Sequence, residues 1–244
     1  MLGHLPLAAV GLIYSGLPSM SSAPYLCASV LLHLGYQIFL LNAYRHGSLT
    51  SIYPIARGMA PLLITLISIT LLSEALKPSD ILGISIISIA ILSYGVKQYR
   101  LANAKLIGLV LACVTGCFIA GYSIVDALGA RIAGSAIAFY GISTFGSAAL
   151  FVIYLQLTDP SVLTSIHKEA RATLIYGGTA SYVAYVIVLW ACLSAPVAIV
   201  SSLRETSLLF AVLLGAVFLR EKITVFKVTM ILLIFCGILL LRLS

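Results

Sequence analysis

Charge is what this chain has least of. Its 244 residues include 14 Lys and Arg and only 7 Asp and Glu, so 9% are charged, against about 25% in a soluble domain. A water-facing surface cannot be assembled from so little, so lipid is the expected solvent, and lipid admits only helices or closed barrels. The short alternation of apolar and polar residues that barrel strands require is missing as well. So are the catalytic signatures: there is no H-E-x-x-H, no G-x-S-x-G and no glycine-rich phosphate loop. Neither an enzyme nor a nucleotide-driven pump is expected, and no cofactor. His4, His33, His46 and His167 are scattered, and Cys27, Cys113, Cys117, Cys192 and Cys236 all fall in apolar stretches without metal-ligand spacing. The cysteines read as small packing residues, and no metal site is expected.

What remains is apolar: 61% of the residues, with a mean hydropathy of +1.15. The apolar stretches are helix-length and apolar on every face, the pattern of spanning helices. Nine are expected, at Leu2–Leu17, Tyr25–Asn42, Leu49–Leu72, Ile81–Val96, Leu106–Val125, Ala136–Leu157, Thr173–Leu193, Val197–Leu219 and Thr224–Leu243. They are separated by turn-forming strings such as Leu17-Pro18-Ser19, Lys77-Pro78-Ser79 and Thr158-Asp159-Pro160. The fold class is therefore an all-α, polytopic helical membrane protein forming one membrane domain. The first stretch could also be read as a signal peptide, but no Lys or Arg precedes it.

The few charges recur. Arg57 and Glu74 are separated by the same interval as Arg204 and Glu221, which lie 147 positions further on. Ten of the 45 ungapped pairs from Ser48/Ala195 to Leu92/Leu239 are identical, but eight of these are Ile or Leu, so the two charged matches carry the weight. An internal duplication follows: residues 1–100 form a first repeat and 101–244 a second. Five helices per complete repeat is an odd number, so successive repeats enter the membrane from opposite sides, giving inverted topology. The second half begins near Lys105, and at this offset the first half is about one helix short, nine spans of an expected ten.

Several strings carry a resemblance. Ala43-Tyr44-Arg45-His46-Gly47 with Tyr53-Pro54-Ile55-Ala56-Arg57-Gly58 and Glu74 resembles the first repeat of the drug/metabolite transporter superfamily, EamA type. Ala195-Pro196-Val197-Ala198, then Ser202-Leu203-Arg204-Glu205-Thr206-Ser207 and Glu221, resembles the second, as does Gly121-Tyr122-Ser123-Ile124-Val125-Asp126 with Gly129 and Arg131. The resemblance implies ten helices and transport of small organic molecules, and it names no substrate. Family members often carry both termini in the cytoplasm, which the charge distribution here does not support.

Arg57 and Arg204 lie seven or eight residues inside their helices, where a charge costs at least about 2.5 kcal/mol on insertion scales. Either they snorkel to the interface or they line a cavity and attract anionic or polar substrate groups. Tyr53, Tyr122, Tyr182 and Tyr185 are candidate substrate-binding aromatics. Trp190 reads as an interfacial anchor. Pro54 and Pro61 flank Arg57 and either kink the helix structurally or open it toward a cavity. Pro196 reads as a helix start. Glu205, whose first-repeat counterpart is Gly58, is a candidate proton carrier or a packing partner. Asp126 is a second candidate for coupling, or else a solvated turn residue. Glu74 and Glu221 read as helix-end residues that help to start the next helix, with a gating role as the alternative. Ser85, Ser88, Gly116, Ala120 and Gly121 read as close-packing positions.

Alternating the loops between two sides puts Arg45, Lys97, Arg100, Lys105, Lys168, Arg171, Arg220, Lys222 and Lys227 together, and Lys77, Arg131 and Arg242 opposite. The richer side is expected to be cytoplasmic. The net charge of +7 is then a topology signal and implies no nucleic-acid partner. The leading expectation is a plasma-membrane (in a bacterium, inner-membrane) secondary transporter that exports small organic metabolites by alternating access. A lipid-carrier translocase and a truncated, non-transporting membrane subunit are the alternatives. The expected partners are membrane lipid and a small-molecule substrate; oligomeric state is open.

Overall fold

The structure is a computed structural model that describes residues 2–102, 105–163, 171–210 and 224–243. Every regular element among them is helical. After a short 3₁₀ turn, α1 runs Leu5–Ser15, α2 Ala23–Tyr44, α3 Leu49–Thr70, α4 Pro78–Leu101, α5 Leu106–Ala133 and α6 Ala136–Thr158. A π-helical turn at Thr173–Gly177 leads into α7, Gly178–Cys192; α8 is Val197–Arg204 and α9 Val225–Leu243. Seven of the described helices are long and apolar enough to cross a membrane, and the segment Leu2–Ser15 is a shorter apolar helix. His167, Lys168, Arg220, Glu221 and Lys222, and residues 211–219 of the expected Val197–Leu219 span, lie outside the described residues.

The ends follow local chemistry. Gly16 and Gly134 close α1 and α5 at φ +72°, a backbone that side chains with a Cβ avoid. Pro78 opens α4 where its missing N–H costs nothing, while Asp80 accepts the backbone N–H of Lys77 at 2.9 Å. Ser135 starts α6 by accepting the Ala138 N–H at 3.2 Å.

The chain divides into two compact units, residues 1–34 with 124–194 and residues 35–123 with 195–244. Each unit draws on both sequence halves; two of the three divisions fall inside α2 and α5, and the third falls between α7 and α8. In the second unit, α3, α4, α8 and α9 pack together. Lipid tails are as apolar as leucine, so burial alone does little to hold these helices, and close approach of backbones must do more. The glycines provide it. A Cβ on Gly83 would meet the Gly237 carbonyl oxygen at 2.8 Å, and one on Gly237 would meet that of Gly83 at 2.7 Å. A Cβ on Gly116 would meet the Ala56 oxygen of α3 at 3.0 Å, and Ser88 and Ala120 are buried, in keeping with their reading as packing positions. In the first unit, α1 lies on α6 through Gly11 against Ile137 and Gly141 against Leu12. The hydroxyls of Ser29 and Ser143 tie α2 to α6 at 2.6 Å.

Candidate functional site

The second unit holds a buried ion pair. Arg57, in the middle of α3, donates from Nε to Glu205 Oε2 at 3.1 Å, and its Nη2 lies 2.8 Å from Glu205 Oε1. This is the two-pronged guanidinium–carboxylate geometry. Nη1 donates to the Tyr53 hydroxyl at 3.2 Å, the Tyr53 ring centroid is 5.5 Å from Cζ, and Nη2 reaches Ser207 Oγ at 3.5 Å. Arg57 is 9% exposed and Glu205 4%, so neither charge snorkels to water. Tyr122 is buried, edge-on to Tyr36 at 5.5 Å.

The backbone explains how Glu205 reaches Arg57. After Arg204 the helix does not continue. The amides of Glu205, Thr206, Leu208 and Leu209 each bond three residues back, to Ser202, Leu203, Glu205 and Thr206. This tight turn breaks what was expected to be one uninterrupted span and turns Glu205 inward. The prolines do the opposite of what breakers suggest: α3 runs unbroken through Pro54 and Pro61. Pro61 lacks the N–H that would bond the Arg57 carbonyl; one turn later Thr65 Oγ1 donates to the Pro61 oxygen at 2.7 Å. Arg204 is the last residue of α8 and only half-buried, so the two arginines of the repeated motif are not equivalent here.

Glu74 differs from its expected task. The start of α4 is held by Asp80, whereas Glu74 accepts the backbone N–H of Val197 with both oxygens, at 3.0 and 3.2 Å. It therefore caps α8, a helix of the other sequence half, next to the N-cap Pro196.

Asp126, Tyr182 and Tyr185 do not join Arg57 but gather in the first unit. Asp126 is no solvated turn residue: α5 continues past it for two turns, and it is 0% exposed. Tyr185 donates to Asp126 Oδ2 at 2.7 Å, and His33 Nε2 lies 3.2 Å from the same oxygen. Tyr140 packs on Tyr185 at 4.6 Å and on Tyr182 at 5.3 Å, with His33 edge-on at 6.3 Å, and its hydroxyl is 3.3 Å from His4 Nδ1. Two of the four scattered histidines are thus brought into one buried cluster. His4, His33 and Tyr140, like Tyr36 and Ser207 in the other unit, were not singled out from the sequence. Trp190 is 68% exposed on α7.

Helices buried through glycine and serine on one side, with Leu232, Leu233, Phe235 and Leu239 of α9 exposed on the other, define a polytopic integral membrane protein. The EamA-like transporter family matches residues 106–243, more than half of the chain, and the chain belongs to that family, a membrane transporter family of the drug/metabolite type. A solved crystal structure of a protein superposes with a TM-score of 0.77 over 99% of this chain and 85% of the other at 18% identity; at that identity the likeness speaks for the fold alone. No curated protein matches the chain.

Proposed function

We propose that this protein is a secondary transporter that moves small organic metabolites carrying an anionic or polar group, and that Arg57 is the group that recognises them. The observation that carries this reading is the dry, two-pronged Arg57–Glu205 pair. A guanidinium held this way presents a geometry that a substrate carboxylate or phosphate can take over from Glu205. Tyr53, Tyr122 and Ser207 supply the neutral donors and ring faces that fix orientation. A helix broken at the contact residue, in a chain whose halves repeat, matches the way discontinuous helices build binding sites in transporters.

The repeats 1–100 and 101–244 are proposed to be inverted, so that each half plays on one side of the membrane the part its partner plays on the other. The direction proposed is export, across the plasma membrane, with the Lys97–Lys105 linker on the cytoplasmic side. Glu74 bridging the two halves, as the cap of α8, suits an element that must hold or release during such an exchange.

The test is counterflow in liposomes containing the purified protein, screened against carboxylates, phosphates, amines and neutral metabolites. Exchange of an anionic or polar class is expected, abolished by Arg57→Ala and weakened by Arg204→Ala. Undiminished exchange by both variants at normal protein levels would sink the proposal.

A further inference from the structure

Within the second unit, α4 and α9 run antiparallel. Gly83 meets Gly237 at one end of their contact, and Tyr94 stacks on Phe226 at 6.4 Å toward the other. Beside that stack lies an open groove of about 600 Å³. It is lined from α4 by Ile89, Leu92, Val96, Lys97 and Arg100, which recur at the spacing of one helix face. Phe226, in the first turn of α9, lines it from the other helix.

The groove is graded along its length. From Ile89 to Arg100 the helix rises about 16 Å, close to half of the roughly 30 Å of hydrocarbon in a bilayer. It therefore has the depth of one lipid leaflet. Its two cations lie at the end where α4 runs out at Leu101, and apolar side chains lie below them. The negative end of α4 and the positive end of α9 both fall at this mouth and act with opposite sign. Among the described residues no carboxylate lines it, so Lys97 and Arg100 set its charge.

Each cation is placed to take a phosphate. The Lys97 ammonium sits 4.0 Å from the Phe226 ring centroid. That contact holds it over the ring face and leaves N–H donors for a second partner. Arg100 is exposed in the last turn of α4, and its planar fork matches two phosphate oxygens at once. A fatty chain alone would need no cations, and a soluble phosphate would need no apolar groove a leaflet deep. A ligand with an anionic head and an acyl tail uses both.

We propose that the α4–α9 groove binds an anionic phospholipid, its phosphate held by Lys97 and Arg100 and an acyl chain laid along Val96, Leu92 and Ile89. On the cytoplasmic side proposed for the Lys97–Lys105 linker, the adjoining leaflet is the one that carries anionic lipid. Binding itself rests neither on that orientation nor on transport.

The experiment is native mass spectrometry of the purified full chain in a neutral detergent. The protein is titrated with phosphatidylglycerol, with phosphatidylcholine of the same acyl chains, and with glycerol 3-phosphate as competitor. Phosphatidylglycerol is expected to bind more tightly than phosphatidylcholine by on the order of tenfold, which two cations at a membrane surface suffice to supply. Glycerol 3-phosphate is expected not to displace it. Lys97→Gln combined with Arg100→Gln should erase the preference. Arg45→Gln combined with Lys105→Gln removes the same charge from exposed positions outside the groove and should keep it. If the first double variant does not fold, Arg100→Gln alone decides, with a partial loss of preference expected. Equal binding of the two lipids overturns the proposal, as does a preference that survives in the Lys97/Arg100 variant or is unmoved in Arg100→Gln. Equal loss in both double variants overturns it by making net charge the cause. Displacement by glycerol 3-phosphate overturns it by making the groove a site for soluble anions.

Discussion

Both carboxylate oxygens of Glu74 accept the backbone N–H of Val197, 123 residues further along the chain. Val197 is 1% exposed, so the amide has no recourse to bulk water once this acceptor is gone. Leaving a buried donor unsatisfied costs about 1–3 kcal/mol. Glu74→Ala is expected to lower the thermal midpoint of the purified protein clearly, and Glu74→Gln, which keeps one acceptor oxygen, to lower it less. Equal midpoints for the three proteins would show that the cap contributes nothing.

The Arg57–Glu205 pair predicts a non-additive cycle. Arg57→Met strands a buried carboxylate and Glu205→Met a buried guanidinium, each costing about 3–5 kcal/mol, whereas removing both charges together costs far less. Denaturant stability of the two single variants and the double variant measures the coupling. Arg57→Lys is expected to behave like a loss, because an ammonium cannot reproduce the two-pronged contact. Additive effects would mean that the pair is not dry.

Gly83 and Gly237 leave no room for a methyl group between α4 and α9. Gly83→Ala and Gly237→Ala are each expected to destabilise by about 1–3 kcal/mol through overpacking, read as a lower midpoint. Gly177→Ala is the internal control, since its Cβ would meet only the Thr173 methyl at 3.6 Å. A Gly237→Ala protein as stable as that control would contradict the close crossing.

Arg131 places a cation on the last carbonyls of α7 by bonding the Cys192 oxygen. Arg131→Met removes both the hydrogen bond and the favourable interaction with the helix end, together about 1–2 kcal/mol. Faster hydrogen exchange at the C-terminal turn of α7 is the expected signature; unchanged exchange there would count against it.

The spans were legible because hydropathy is a local property and the bilayer demands long apolar runs. Within them, depth was legible for Arg57 but pairing was not. The 147-residue offset between the two Arg/Glu pairs already brought Arg57 into register with Arg204, one position from the Glu205 it meets. Adjacent helix positions diverge by about 100°, however, and only the turn at Glu205–Thr206 decides which of the two faces inward. That break carries neither glycine nor proline; its one local signal is the polar run Glu205-Thr206-Ser207. Glu74 was recognisable as a helix-end residue, yet the helix it caps is distant in sequence. The His4–His33–Asp126 cluster joins four helices and the N-terminal turn, and no spacing along the chain encodes such a meeting.

The length of α5 has a consequence for energetics. Its 28 residues span about 42 Å at 1.5 Å per residue, more than the roughly 30 Å of hydrocarbon it must cross, so it must tilt or project. Asp126 lies about 30 Å from the start at Leu106 on the same measure. That separation is close to the whole hydrocarbon thickness, so Leu106 and Asp126 cannot both lie at its middle.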